Sequence, residues 1–553
     1  MSTEPVHLPP LPGRCRSNLL IKTLLLIFIF AISFSVYFSR TYNWTTFLVL
    51  LDPVYPTNTE LEHEPTENPF REMSVDDIMR SVWDDLPADG NFSSIESSSS
   101  GQHSVVNLEQ PGAQYCVGDS LIVLVNMKDH RGNPKVHGGD FILARIHSPN
   151  LQASASGEVT DLLNGSYRVR FRLFWPGDVL VSVLLMHSSE AVGILRRISA
   201  HNYDKIIYTG TFYSWNKTEQ SQCGIRLKAD KPLCEYRKKE DAEYYACVRP
   251  KTLSCSTLRT MRSRNGPISN MARDERLLLS RKNIGIEMRN SFGPVKVISC
   301  PAGTHRPTEK CVAGFGMTSP SQSGYFFRNR WSSSSCQTGN FFSADAISRC
   351  LKGRNLKLMG DSTVRQWQET LIKTLKGLKY VNPYDTHYYA LVVDPQRNIT
   401  VQWKMHGHPF VTGYNVVKDA VGYISREVDR VAVGDVVVIG VGQHFRPFPL
   451  EIFVQRLINM RKAILRLHER SPQTLVIIKL ENTRELDSEM THLSDWFGYV
   501  QNLTQRKVFR DLKVVLVDAW DMTTAANTFA THPNNIVVSN EIALALSHLC
   551  HDA

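Results

Sequence analysis

The second half of the chain carries unbroken apolar runs separated by segments of helical period, a pattern that few architectures accept. The runs are 356–359 (LKLM), 432–441 (AVGDVVVIGV), 474–480 (TLVIIKL) and 513–518 (KVVLVD). A strand that is apolar on both faces is buried on both, as in parallel sheets covered by helices on each side. Residues 362–375, 450–470 and 536–549 have the length and spacing of helices. The alternation predicts right-handed βαβ units and a three-layer α/β/α domain over 346–553, with a mostly parallel sheet in the middle. Ligands of such sheets sit beyond the C-terminal strand ends, where Ser362, Gly442 and Asp518 fall.

The first half reads differently. From about residue 117 the period is two, with runs at 120–128, 141–147, 167–173 and 179–186 and a hairpin signal at Asn164-Gly165. This spacing predicts an immunoglobulin-like β-sandwich over 111–255, closed by a cysteine-dense end with Cys223, Cys234, Cys247 and Cys255. Residues 256–345 read as a connecting segment. Residues 39–110, rich in Pro, Glu, Asp, Asn and Ser, read as a stem, with a short amphipathic helix at 74–83 capped by Ser74.

A length of 553 residues implies two or three domains. The net charge of +10 is spread over the surface, as at Arg237, Lys238 and Lys239 and between 273 and 282, without a basic run that reads as a nucleic-acid arm. Residues 19–38 are apolar over 20 positions, long enough to span a bilayer. Arg14, Arg16 and Lys22 on their N-terminal side place residues 1–18 in the cytosol and the rest in the lumen. The run is long for a signal peptide and no A-x-A-like site follows it, which favours an uncleaved signal anchor. Ten of the 11 cysteines follow this run, an even number compatible with five disulfides in an oxidising compartment. There is no C-x-x-C pair, and His406 and His408 lack further ligands, so no metal site is expected. Sequons at Asn91, Asn164, Asn216, Asn398 and Asn502 suit a lumenal glycoprotein, and Asn43 lies close to the membrane.

The candidate chemistry gathers at residues 355–366 (NLKLMGDSTVRQ). A serine between a strand end and a helix start is held on a tight bend, with helix N–H groups pointing at whatever binds there. Ser362 is the candidate nucleophile and His532, between the last strand and the last helix, its base. Gly442 and Gln443, after the second long apolar run, are candidates to complete an oxyanion hole with the Ser362 N–H. His444 is a further donor or lines the acceptor site. Arg365, one turn beyond Ser362, orients Asp361 or holds an anionic substrate. Asp361 also suits a helix cap.

Gly360-Asp361-Ser362 after a strand, with a late histidine, resembles the PC-esterase branch of the SGNH/GDSL hydrolases. The chain from about 110 to 550 more closely resembles the neurexophilin and PC-esterase domain (NXPE) family. The resemblance rests on 115–119 (YCVGD), 138–141 (GGDF), 164–167 (NGSY), 174–175 (FW) and 247–250 (CVRP), then on 358–367, 442–449 (GQHFRPFP), 481–484 (ENTR) and 518–523 (DAWDMT). It implies a neurexophilin-like sandwich followed by a PC-esterase domain, and glycan O-acetylation or deacetylation, including on sialic acids. One departure stands out: the wider branch has D-x-x-H, and Phe529 occupies the Asp position before His532. Asp518 or Asp521 replaces the missing acid, or a backbone carbonyl orients His532 in a dyad, or the site is an inactive descendant. The expectation is a single-pass Golgi O-acetyltransferase with no bound cofactor, taking acetyl from acetyl-CoA to a glycan or glycoprotein. The alternatives are an O-acetyl esterase, or a secreted or cell-surface ligand whose sandwich binds a protein partner.

Overall fold

The computed structural model describes residues 73–550 except 89, 113, 202–204, 228–229, 239–241, 269–270, 301–306, 315–321, 385–386, 485 and 487–489. These residues belong to one compact unit. The expected anchor at 19–38 and the cytosolic tail lie outside the described residues. Among the described residues no helix is long and apolar enough to cross a membrane.

The C-terminal half is built on a seven-stranded sheet, whose strands are numbered within this half. They are β1 (Asn355–Gly360), β2 (Lys379–Tyr380), β3 (Tyr389–Asp394), β4 (Ile399–Met405), β5 (Val436–Gly440), β6 (Leu475–Lys479) and β7 (Val515–Val517), in the spatial order β2-β3-β4-β1-β5-β6-β7. The five strands from β4 to β7 in that order run parallel, and β2 and β3 add an antiparallel edge. Side-chain alternation splits the apolar runs between two layers. Val436 and Val438 pack with α1 (Ser362–Thr374) and α5 (Asn535–Leu549). Val437 and Ile439 pack with α2 (Leu450–Arg470) and α3 (Asp495–Phe509) on the other face. Helices therefore cover both faces, as the apolar runs require. After β1 the chain first builds one side of the sheet and then crosses to the other. This reversal, the place where ligands of such sheets bind, falls at the C-terminal end of β1.

In the first half a five-stranded and an eight-stranded sheet pack face to face. Val123, Val169 and Phe171 of one sheet share a core with Ile142, Ile146 and Val183 of the other. A separate six-stranded sheet carries the cysteine-dense end and accepts Val416–Val417 from the C-terminal half as its last strand. The ten cysteines after residue 40 pair as Cys116–Cys300, Cys223–Cys247, Cys234–Cys255, Cys311–Cys336 and Cys350–Cys550.

Two expectations about segment boundaries are revised. The helix Val75–Asp84 does form, with Ser74 accepting from the Asp77 N–H at 3.1 Å. It is docked, however, rather than part of a stem. Val82 is fully buried, Trp83 stacks on Trp496 at 6.2 Å, and Lys507 pairs with Asp85 at 2.6 Å. Ser98, Ser99 and Ser100 are buried too, and Val105–Leu108 is a sheet strand. The segment 256–345 is not merely a connection. Its strands Ile286–Glu287, Val295–Ile298, Gly324–Phe327 and Arg330–Ser333 belong to the eight-stranded sheet. Strands this short carry no readable period.

Candidate active site

β1 ends against β5 so closely that a Cβ on Gly360 would lie 1.8 Å from the Gly440 carbonyl oxygen. Only glycine permits this approach. The Asp361 N–H then donates to the same carbonyl at 3.0 Å. Asp361, fully buried, caps α1 by accepting from the Thr363 N–H at 2.9 Å and the Thr363 hydroxyl at 2.7 Å. The cap fixes Ser362 as the first residue of the helix, half-buried with its hydroxyl facing out. Among the described residues the Ser362 N–H makes no hydrogen bond.

His532 Nε2 lies 2.7 Å from Ser362 Oγ. Hydrogen bonds from three side chains help to hold the loop that carries it. Gln366 of α1 donates to the Pro533 carbonyl at 3.0 Å. Asn482 donates to the Ala530 and Thr531 carbonyls, each at 3.3 Å. The Thr483 hydroxyl donates to the Thr528 carbonyl at 2.5 Å. Asn534 then caps α5. Pairs of this kind let imidazole take the hydroxyl proton as serine attacks a carbonyl.

The loop after β5 departs from expectation. The Gly442 N–H donates to Glu481 Oε1 at 2.8 Å, and a Cβ on Gly442 would fall 2.3 Å from that carboxylate. The Gln443 side-chain amide donates to the Asn482 carbonyl at 3.2 Å, and its N–H to Asp361 Oδ2 at 3.3 Å. The Gly442 N–H is therefore taken by Glu481 and the Gln443 N–H by Asp361, while the Gln443 side-chain amide spends one of its two N–H groups on Asn482. Glu481, 2% exposed, was not singled out from the sequence. Burial, reinforced by the Asp361 charge, pushes its carboxyl up to about 7 against the pull of Lys479 and Arg446. Arg446 is the buried brace of this loop, donating to Asp495 Oδ1 at 2.8 Å and to the Asn482 carbonyl at 2.6 Å.

His444 is half-buried beside the pair. Its Nδ1 lies 2.8 Å from His406 Nε2, and His406 Nδ1 lies 2.9 Å from the Gly407 carbonyl. A carbonyl only accepts, so His406 Nδ1 carries the proton and His406 Nε2 accepts from His444 Nδ1–H. Neutral His444 is left with an unprotonated Nε2, an acceptor rather than the extra donor expected. Burial keeps both rings neutral. It lowers the His444 pKa, partly offset by the Asp361 carboxylate, and sends His406 well below the usual range, helped by the neighbouring His444 and Arg456.

The expected replacement acids are committed elsewhere. Asp518 caps α4 (Ala519–Ala526), accepting from the Asp521 N–H at 3.1 Å, and pairs with Arg506 at 2.5 Å. Asp521 accepts from the Ser156 hydroxyl, and from the Ser323 N–H and hydroxyl at 2.6 Å each. It thus staples α4 to the eight-stranded sheet. Burial and the Asp518 charge raise its carboxyl to about 6. Arg365 does not orient Asp361. Its Nε lies 3.1 Å from Glu369 and its guanidinium 5.4 Å over the Trp403 ring.

Four sequon residues, Asn91, Asn164, Asn216 and Asn398, are exposed. Asn502 is not available to a glycan. It is 6% exposed in α3, accepting from the Glu481 N–H at 2.8 Å and donating to the Glu481 carbonyl at 3.2 Å. Cys311, Cys336 and His548 cluster with metal-like spacing, but the two sulfurs are joined in a disulfide. His408 is packed against Tyr208 and Tyr245, each 4.6 Å away, and burial pushes its pKa down to about 3.

Residues 331–550, which carry Ser362, His532 and the loop between them, match the family described as NXPE family member 4-like, C-terminal domain. Residues 98–267 match Neurexophilin. The two matches lie in the order in which the β-rich half and the α/β half follow each other along the chain. With this pairing of domains, the chain belongs to the neurexophilin and PC-esterase domain (NXPE) family.

Proposed function

We propose that the protein is a glycan O-acetyltransferase that works through an acetyl-Ser362 intermediate. The observation that carries this reading is the 2.7 Å contact between His532 Nε2 and Ser362 Oγ at the head of a helix. The family's C-terminal domain relates to PC-esterase-like hydrolases and acyltransferases, which supports acyl chemistry at this position. The parallel sheet with helices on both faces supports an SGNH-like assignment, and the two face-to-face sheets an immunoglobulin-like one.

In the first step His532 takes the Ser362 proton as Oγ attacks the thioester carbonyl of acetyl-CoA. The oxyanion faces the Ser362 N–H and the positive end of α1. The C–S bond breaks, and CoA leaves as the thiol with the proton from His532. A sugar hydroxyl, on a sialic acid in the favoured case, then attacks the acetyl-serine while His532 takes its proton. The sugar acetate departs and Ser362 recovers its proton. The Nε2 of His444, an acceptor, orients the incoming hydroxyl. Five disulfides fit a lumenal or extracellular compartment, and the Golgi lumen is the proposed one.

One observation favours hydrolysis as a second reading: His532 is exposed, which gives water a path to the acyl-serine. The test is the full-length protein with labelled acetyl-CoA and sialylated or neutral glycans. Transfer of label to the glycan, lost in Ser362→Ala, supports the transferase. Label released only as acetate, or acetyl removed from pre-acetylated glycans, makes it an esterase. No Ser362-dependent acetyl chemistry of either kind refutes both.

A further inference from the structure

A cavity whose lining excludes the serine pair lies in the β-rich half. It encloses about 880 Å³ between the strand ending at Arg172 with the turn after it and the hairpin of Gly324–Phe327 and Arg330–Ser333. A volume of this order holds one or two sugar rings. Its cations are Arg172, Arg328 and Arg330, and no carboxylate lines it among the described residues. The three guanidiniums rest on rings instead of acids. Arg172 lies 5.8 Å from the Phe174 centroid, Arg328 5.6 Å from Phe327, and Arg330 5.0 Å from Phe342. Stacking of this kind leaves guanidinium N–H groups at the edge for an anion, although one Arg330 nitrogen already donates to Asn340 Oδ1 at 3.2 Å. Phe174 and Tyr325 stack at 4.3 Å and form an apolar wall, and Ser332, Ser334 and Thr338 add hydroxyls.

The hairpin tip provides a second, independent observation. Arg328 and Asn329 both have positive φ, 52° and 60°. Asn-Gly is the usual solution for such a turn, and an arginine there carries backbone strain. The surroundings enforce it. The Arg328 N–H donates to the Leu151 carbonyl and the Asn329 N–H to the Gln152 carbonyl, both at 3.2 Å, while Asn540 holds the Asn329 carbonyl at 2.9 Å. Strain kept in place at a cation on a cavity rim is a mark of a binding site. The disulfides Cys116–Cys300 and Cys311–Cys336 brace the cavity, which lies beside Ser299 and includes Cys336.

We propose that this cavity binds an anionic sugar residue of a glycan, with the three arginines taking the carboxylate or sulfate and the Phe174–Tyr325 wall taking the ring. The choice of a sugar over other small anions rests on the glycan reading of the serine site. The anion recognition does not.

The test is calorimetric titration of the full-length chain, in detergent, with sialyllactose, sulfated lactose, lactose and a polyglutamate peptide. Saturable binding of one or both acidic sugars is expected, and whichever binds identifies the anion. Lactose should bind at least about tenfold more weakly, and Arg328→Ala with Arg330→Ala should weaken the acidic sugar by about tenfold or more. Arg330→Lys should retain part of the affinity, and thermal melting checks that the variants fold. Equal binding of lactose, undiminished binding by the arginine variants, tighter binding of polyglutamate, or no saturable binding would each overturn the proposal. Binding is read without turnover, and Ser362→Ala should bind as the wild type does. A failure of the serine chemistry is thereby distinguished from a failure of this site.

Discussion

Replacing Glu481 by glutamine should make the protein less sensitive to alkaline conditions. The substitution keeps an oxygen for the Gly442 N–H and removes the ionisation. In the unfolded chain a glutamate loses its proton near 4.5, and in the folded protein Glu481 holds it to about 7. Below pH 4.5 both states are protonated and the group is neutral in its effect. Between the two values unfolding releases the proton, so stability falls as pH rises, and above pH 7 the whole cost is present. At about 1.4 kcal/mol for each pH unit, that cost is about 3 kcal/mol. Glutamine escapes it. Guanidinium unfolding followed by tryptophan fluorescence, disulfides intact, at pH 5, 6, 7 and 8 gives the two curves. The glutamine variant should gain on the wild type by about 2–3 kcal/mol across this window. Parallel curves, or a wild type that gains on the variant as pH rises, would show that the carboxylate is stabilised where it sits and would refute the reasoning.

Three other perturbations test the site. Gly360→Ala puts a methyl 1.8 Å from the Gly440 oxygen, so β1 and β5 must part; a loss above about 4 kcal/mol is expected, read as absence of folded protein on expression. Asn482→Ala removes the donor to the Ala530 and Thr531 carbonyls and should lower kcat by about 10–100-fold with KM little changed, as expected of a group that only positions His532. Asp521→Asn should leave turnover within a few-fold of wild type, while melting shifts downward because the contacts to Ser156 and Ser323 are weakened; a loss of turnover like that of His532→Ala would restore Asp521 as the catalytic acid.

The legible parts of the fold were those whose signal is local. Residues 436–439 and 475–478 are apolar at every position facing either layer, and the amphipathic stretch 450–470 is one helix from end to end. The serine turn was legible for the same reason, since glycine, cap and helix follow one another directly. The oxyanion assignment of Gly442 failed because it depended on a distant partner. A glycine after a strand looks like a donor awaiting substrate, yet Gly442 is glycine to make room for Glu481, 39 residues later, which takes its N–H. The serines at 98–100 looked like low-complexity linker by composition. They are core because small side chains fill tight space, with the Ser98 hydroxyl donating to the Ile95 carbonyl at 2.6 Å and the Ser100 hydroxyl bonding His103 Nδ1 at 3.0 Å. Asn502 carries a sequon and is consumed by a strand end instead.

The strands contributed by residues 286–333 bear on how the protein can be processed. The Neurexophilin match ends at 267 and the C-terminal match begins at 331, which invites the idea that a protease cutting between them would release the first half as a free ligand. The sheet order forbids a clean release. Val295–Ile298 pairs with Gly177–His187, and Gly324–Phe327 with Ala153–Ser156. A chain nicked between these strands would stay together through Cys116–Cys300 or through its shared sheets, and one stripped of them would shed with raw hydrogen-bonding edges and an opened core. A cut that leaves both halves intact therefore has to fall upstream of the helix at Val75–Asp84, and it leaves them joined as a single body.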